Sequence, residues 1–442
     1  MEVWALVMFA VLFALLLLGY PVAFTLGGVA LAFGTIFLDI DFFRLLPLRI
    51  WGIITNFTLL AVPLFVFMGV ILEKSGLAEE LLETMGLLFG RLRGGLGISI
   101  VMVGALLAAT TGVVGATVVT MGIIALPSML KHGYAKELAT GTIASAGTLG
   151  QIIPPSIVLI LLGDVMGVPV GQLFIAAVVP GILLILLYIA YIVVTAWRRP
   201  EVAPALNRTA TLGHPSLGLQ IVKSLIPPLA LVIAVLGSIF FGIASPTESA
   251  AVGALGAILL ALSHRRLTLD NLRDASAQTM RLTSMVFIIL IGATAFGLVF
   301  RGMGGDALVL ELMSGLPGGT WTFLAISMLL IFLLGFFLDF LEICFIVVPI
   351  LTPVAIHLGL NPLWFAVLIA VNLQTSFLTP PFGFSLFYLK AVTPPEVQIS
   401  HIYRGILPFV AIQLIALVLL LSFPELGLWL PATMDRWQGL GG

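Results

Sequence analysis

Long apolar stretches, separated by short segments that carry most of the charge, set the pattern of this chain. An uncharged run of about 18 residues or more has the length that a bilayer core demands. Reading such runs and their breakers predicts crossings near 3–19, 22–38, 57–73, 137–166, 171–196, 225–243, 248–263, 283–300, 363–390 and 403–430. The first run has no basic segment before it and continues into Tyr20-Pro21-Val22, so it reads as a retained helix and not a cleaved signal. Two further apolar blocks, 94–130 and 321–358, are interrupted in the middle. At 1.5 Å per residue their arms reach roughly 20–25 Å, past the midplane but marginal for two upright crossings. Each block is therefore read as a re-entrant hairpin, the first opening to the cytoplasm and the second outward. The first tip is Thr110-Thr111-Gly112-Val113-Val114-Gly115-Ala116-Thr117, and the second is Leu338-Asp339-Phe340-Leu341-Glu342.

Displacing the chain against itself by 226 residues aligns Pro127 with Pro353, Gly133 with Gly359, and Pro154-Pro155 with Pro380-Pro381. Each repeat then holds three crossings and one hairpin, an odd number of passes, so the two copies face opposite ways. The expected fold class is an all-α polytopic membrane protein with inverted structural repeats, two re-entrant hairpins and two proline-broken helices. Such repeats are an architecture of secondary transporters, with the site where the copies meet. The expected division is N-terminal scaffold helices over 1–56, a first repeat over 57–196 and linking scaffold helices over 197–282. A second repeat covers 283–430, and a tail covers 431–442.

Composition agrees: 61% of the residues are hydrophobic and 9% charged, where soluble domains carry about a quarter charged. A net charge of −1 gives no basic surface, so no nucleic-acid partner is expected. Lipid is the expected surrounding. Placing Arg198 and Arg199 in the cytoplasm leaves four of the nineteen basic residues outside, Arg44, Arg49, Arg301 and Arg436. That excess satisfies the positive-inside rule and puts both termini on the extracytoplasmic side. One cysteine, Cys344, excludes a disulfide framework, and there is no Gly-x-x-x-x-Gly-Lys loop for ATP. The histidines fall in loops or at helix ends, and no nucleophile–base or paired-acid arrangement is evident, so an enzyme is not expected.

Four places combine helix breakers with small polar side chains at membrane depth. Two are the hairpin tips, with Thr110, Thr111, Gly112, Gly115 and Thr117 in one and Asp339 and Glu342 in the other. The others are the double-proline segments, with Ser145, Gly147, Thr148, Gly150, Pro154 and Pro155 in the first and Asn372, Gln374, Thr375, Thr379 and Pro380 in the second. Proline removes a backbone donor and clashes with the preceding turn. The freed carbonyls must be satisfied inside a bilayer. A bound hard cation such as Na⁺ can do this with hydroxyl and amide oxygens, and half-helix N-termini favour an anionic substrate group. Plainer readings stand beside these. Thr hydroxyls bond their own helix carbonyls, a Pro-Pro pair merely bends a helix, and Asp339 or Glu342 caps the second hairpin arm. Ser245-Pro246-Thr247-Glu248 reads as a capping box. Asp164 reads as a solvated helix end, and Leu77–Met85 as an amphipathic interfacial helix.

The chain also resembles the large membrane subunit of the tripartite ATP-independent periplasmic (TRAP) transporters. The matching stretches are Val62-Pro63-Leu64-Phe65-Val66-Phe67-Met68-Gly69, Ser75-Gly76-Leu77-Ala78 and Gly150-Gln151-Ile152-Ile153-Pro154-Pro155-Ser156. Ser245-Pro246-Thr247-Glu248-Ser249-Ala250-Ala251 and Thr379-Pro380-Pro381-Phe382-Gly383 extend the likeness over nearly the whole chain. The resemblance implies a Na⁺-coupled elevator importer of organic acid anions in a bacterial inner membrane, with ions and substrate between the hairpin tips and the broken helices. It implies two partners, a small four-helix membrane subunit and a periplasmic substrate-binding protein. A stand-alone Na⁺/dicarboxylate carrier would share these elements and is the alternative.

Overall fold

In a computed structural model of the protein, residues 1–111, 114–206 and 222–437 are described, and every regular element among them is helical. Of Thr110 and Thr111 the backbone alone is described. Gly112, Val113 and the stretch 207–221, with His214, lie outside the described residues. Seven helices are long and apolar enough to cross a membrane, and a bent pair, Ile40–Ile54 with Thr58–Lys74, would add an eighth.

The internal repeat is carried by the elements themselves. Val114–Lys131 and the continuous helix Phe340–His357 correspond residue for residue under the 226 shift. Gly95–Thr111 corresponds to Gly319–Leu334, Lys136–Thr148 to Pro362–Leu378, and Ile157–Met166 to Phe384–Val392. Val170–Arg198 likewise corresponds to Ile399–Ser422. Gly133 (φ 80°) and Gly359 (φ 75°) end the second arm of each hairpin in the left-handed conformation that glycine adopts without penalty.

Both proline pairs break their helices as expected. The first half ends at Thr148, a 3₁₀ turn covers Leu149–Gln151, and helix resumes at Ile157 after Ser156 in extended conformation. The second stops at Leu378 and resumes at Phe384. Pro154-Pro155 and Pro380-Pro381 are both cis. Every residue from Leu138 to Thr148 and from Trp364 to Leu378 is buried. The half-helices before the breaks thus lie in the interior, and the first break is largely buried with them, whereas Pro381 and Phe382 at the second are exposed.

Three elements differ from the sequence reading. The helix expected at 57–73 is one arm of a bent pair, with Ile40–Ile54 as the other arm and a 53° bend between the two. Asn56 provides the reason: its Oδ1 accepts the Thr58 N–H at 2.9 Å, a local bond that competes with helix continuation. The block expected at 403–430 is two helices, Ile399–Ser422 and Glu425–Trp437, divided at Pro424. The short helix Leu77–Phe89 has a counterpart, Gly305–Ser314, that the sequence reading did not include.

Two packing units follow from the contacts. Ala61–Lys74 lies against Pro246–Ser263 and Leu269–Gly302, and Val22–Phe37 runs along the latter. These form a scaffold. The hairpins, the broken helices, Val170–Arg198 and Ile399–Ser422 form a second body. Within it each hairpin's second arm meets the other repeat's broken helix, Val114–Lys131 against Phe384–Val392 and Phe340–His357 against Ile157–Met166.

Candidate functional site

The two broken helices meet at equivalent positions. Gln374 Nε2 donates to Thr148 Oγ1 at 3.4 Å, and these residues are 226 apart. The pseudo-twofold relation between the repeats therefore passes through a polar contact at the centre of the body. Beyond each break the chain is tied back to the same relative place. Ser156 donates to the carbonyl of Gln151 (2.9 Å) and Ser385 to that of Phe377 (2.7 Å), and 151 and 377 are themselves 226 apart.

Glycines bring the hairpins close to this centre. A Cβ on Gly147 would sit 2.5 Å from a Val118 methyl, and one on Gly150 would sit 2.9 Å from the Ala108 carbonyl oxygen. A Cβ on Gly115 would lie 3.1 Å from the Tyr388 ring. These three candidates therefore have packing roles that let the first hairpin dock on both broken helices. Thr117 is buried on the same arm.

Most hydroxyls in the site donate to their own helices, as the plainer reading held. Ser145 bonds Gly141, Thr148 bonds Ser145, Thr375 bonds Val371 and Thr379 bonds Thr375, at 2.7–2.9 Å. A hydroxyl that gives its proton to a carbonyl keeps lone pairs with which to accept, so these bonds leave the cation reading open. Asn372 uses its amide to hold the second hairpin, donating to the Met328 carbonyl at 2.7 Å.

At the second tip Asp339 and Glu342 form a reciprocal cap. Asp339 Oδ1 accepts from Phe340 N at 2.7 Å and Glu342 Oε2 from Asp339 N at 2.9 Å. Helix capping thus accounts for one oxygen of each carboxyl. The expected capping box at Ser245 and Glu248 is present as well.

Among the described residues, several buried polar groups near the breaks have no partner; the sequence reading had named Gln374 but not Gln151 or Thr142. Among the described residues, nothing bonds the Nε2 or the Oε1 of Gln151, which is wholly buried beside the first break. The Thr142 hydroxyl and Gln374 Oε1 are also buried and unbonded. Each unsatisfied amide or hydroxyl in an interior costs about 1–3 kcal/mol, so such a group marks a place where a ligand or water completes the site. The available signal for Gln151 was a long amide side chain directly before a proline break.

Asp164 requires a correction. It is not a solvated terminus: half-buried, it accepts a hydrogen bond from Asn56 Nδ2 at 2.6 Å. It borders a cavity of about 440 Å³ between the scaffold and the second hairpin, with Arg49, Arg301 and Asp306 on the wall. Arg301 Nε is 3.2 Å from Asp306. Burial raises the Asp306 carboxyl above its ordinary value, and Arg301 partly offsets that shift.

Inverted repeats, opposed hairpins and a polar centre between two broken helices define a multi-pass membrane protein with transporter architecture. The sequence signature of the tripartite ATP-independent periplasmic transporter, DctM component, matches residues 9–426, and the chain belongs to that family. It is 32% identical over 401 residues to the C4-dicarboxylate TRAP transporter large permease protein of Pseudomonas aeruginosa, covering 90% of this chain and 91% of that one. It is 30% identical over 420 residues to the sialic acid TRAP transporter large permease protein of Vibrio cholerae, covering 94% and 96%. It covers 65% of the isethionate TRAP transporter permease protein of Oleidesulfovibrio alaskensis, at 29% identity over 425 residues and 95% of this chain. In fold it is similar to the Alcanivorax borkumensis YdaH transporter, with a TM-score of 0.65 at 16% identity, covering 92% of this chain and 96% of that one.

Proposed function

We propose that this chain is the substrate-translocating subunit of a Na⁺-coupled tripartite importer of small organic acid anions, working by an elevator movement in a bacterial inner membrane with both termini periplasmic. The observation that carries the reading is the pair of broken helices meeting at Thr148 and Gln374, with the Gln151 amide and the Gln374 amide oxygen beside them unbonded among the described residues. Amide and hydroxyl oxygens next to interrupted helix ends suit a hard, small cation. The second oxygens of Asp339 and Glu342 are further candidates for the cation, and the half-helix start at Ile157 for a carboxylate. The substrate class rests on the C4-dicarboxylate and sialic acid relatives. The packing fits the movement, because the scaffold and the body each make most of their contacts within themselves.

Two partners complete the reading, a small four-helix membrane subunit and a periplasmic binding protein that delivers the anion. The greater length of the isethionate relative fits a version in which the small subunit is fused to the large one. Uptake of succinate and of sialic acid into proteoliposomes tests the proposal. With all three subunits present, uptake of the cognate anion is expected to require an inward Na⁺ gradient and the binding protein. Equal uptake with K⁺ or choline on both sides contradicts Na⁺ coupling. Uptake that persists without the binding protein makes the chain a stand-alone carrier.

A further inference from the structure

Among the described residues, two side-chain hydrogen bonds join the scaffold to the body, and both leave the same scaffold element. At its bend, Asn56 Nδ2 donates to Asp164 Oδ1 at 2.6 Å. At its inner end, Glu73 Oε1 accepts from Thr120 Oγ1 at 2.8 Å. We infer that these two bonds set the register of the body on the scaffold in one end state of transport, and that both must part in every cycle. The inference rests on the elevator reading above.

On the scaffold side the chain at and beside both groups is tied down. Asn56 Oδ1 is occupied by the Thr58 N–H (2.9 Å), so its amide NH₂ is the end that faces Asp164. The neighbouring Phe57 carbonyl accepts from Thr247 Oγ1 at 2.8 Å, which ties the bend to Pro246–Ser263. Next to Glu73, Lys74 is 3.6 Å from Asp274 of the scaffold helix Leu269–Gly302. On the body side, Asp164 belongs to the second half of the first broken helix. Thr120 belongs to the second arm of the first hairpin. The partners therefore sit on the elements that enclose the candidate site.

The geometry makes the bonds state-specific. Asn56 and Glu73 are 17 residues apart, roughly 25 Å along a helix. Bonds at two heights on one element cannot both survive a slide of the body along it by even one turn, ~5 Å. The rest of this boundary is formed largely by apolar side chains, as where Ala61–Lys74 meets Gly95–Thr111. Apolar contact is non-directional and tolerates sliding, whereas a hydrogen bond weakens steeply with misalignment. The polar pairs are thus the parts of the boundary that distinguish one position from another.

Cysteine pairs test this in the three-subunit complex with Cys344 first replaced by alanine. Asn56→Cys with Asp164→Cys, and separately Glu73→Cys with Thr120→Cys, are treated with mercuric ion, which bridges two nearby thiols. Each pair is expected to bridge, to lose at least tenfold in uptake, and to recover with excess dithiothreitol, while the single-cysteine proteins keep their uptake. Where a pair lowers uptake before treatment, the bridge is read instead by the scaffold–body distance, which it must freeze. A bridged protein that transports at its unbridged rate overturns the inference, as does failure of both pairs to bridge. If the unbridged complex shows no change in scaffold–body distance, the elevator reading fails. If that distance changes while bridged protein still transports, only the assignment of these contacts fails.

Discussion

Replacing Gln151 with leucine is expected to lower uptake at least tenfold while leaving the amount of folded protein unchanged or raising it. The side chain is fully buried, and among the described residues neither end of its amide is bonded. Left unmet, such groups cost about 1–3 kcal/mol each, and an apolar side chain of similar size removes the cost. A group kept at such a cost is doing something when the ligand is present. Stability and activity should therefore move in opposite directions, which a merely structural glutamine would not produce. Thermal unfolding of the purified variant and uptake at matched expression give the two readings. Unchanged uptake would assign Gln151 to packing and leave the hydroxyls and carbonyls as the ion ligands.

Gly405→Ala is expected to destabilise the body by about 1–3 kcal/mol or more and to lower its yield in the membrane. Lys136–Thr148 and Ile399–Ser422 cross with their backbones in contact. A Cβ on Gly405 would lie 2.0 Å from the Glu137 carbonyl oxygen, and one on Gly141 would lie 2.2 Å from that of Gly405. Backbone cannot yield as a flexible side chain does. Small residues at such a crossing are what allow membrane helices to approach closely. Gly237→Ala is the control, since a Cβ there meets nothing within 4 Å and alanine is the better helix former by about 1 kcal/mol. Equal stability of the two variants would contradict the close crossing.

The repeat was legible because prolines and glycines recur at a fixed distance. Those residues determine backbone geometry, so Pro127 and Pro353, Gly133 and Gly359, and the two proline pairs placed the hairpins and the breaks correctly. What the pattern did not disclose were breaks made without proline. The bend at Asn56 depends on a side chain bonding its own backbone, and asparagine does this in only some contexts. The same gap hid the role of Asp164, since its partner lies 108 residues away on another unit. Candidate site residues were chosen for hydroxyl and charge, and many of these side chains turn out to bond their own helices. Gln151 stood in the quoted motif but was passed over, because an unbonded side chain becomes visible only once all its neighbours are placed.

The central claim is that the body moves as a unit along the scaffold. Spin labels at Leu259, on scaffold helix Pro246–Ser263, and Leu414, on body helix Ile399–Ser422, are both on exposed faces and report that separation directly. With Cys344 replaced and the three subunits in lipid, the distance distribution is measured in Na⁺ and in choline. The account predicts two populations that differ by more than one helical turn, ~5 Å, with Na⁺ shifting the balance between them. A single distance that is the same in both conditions would contradict it.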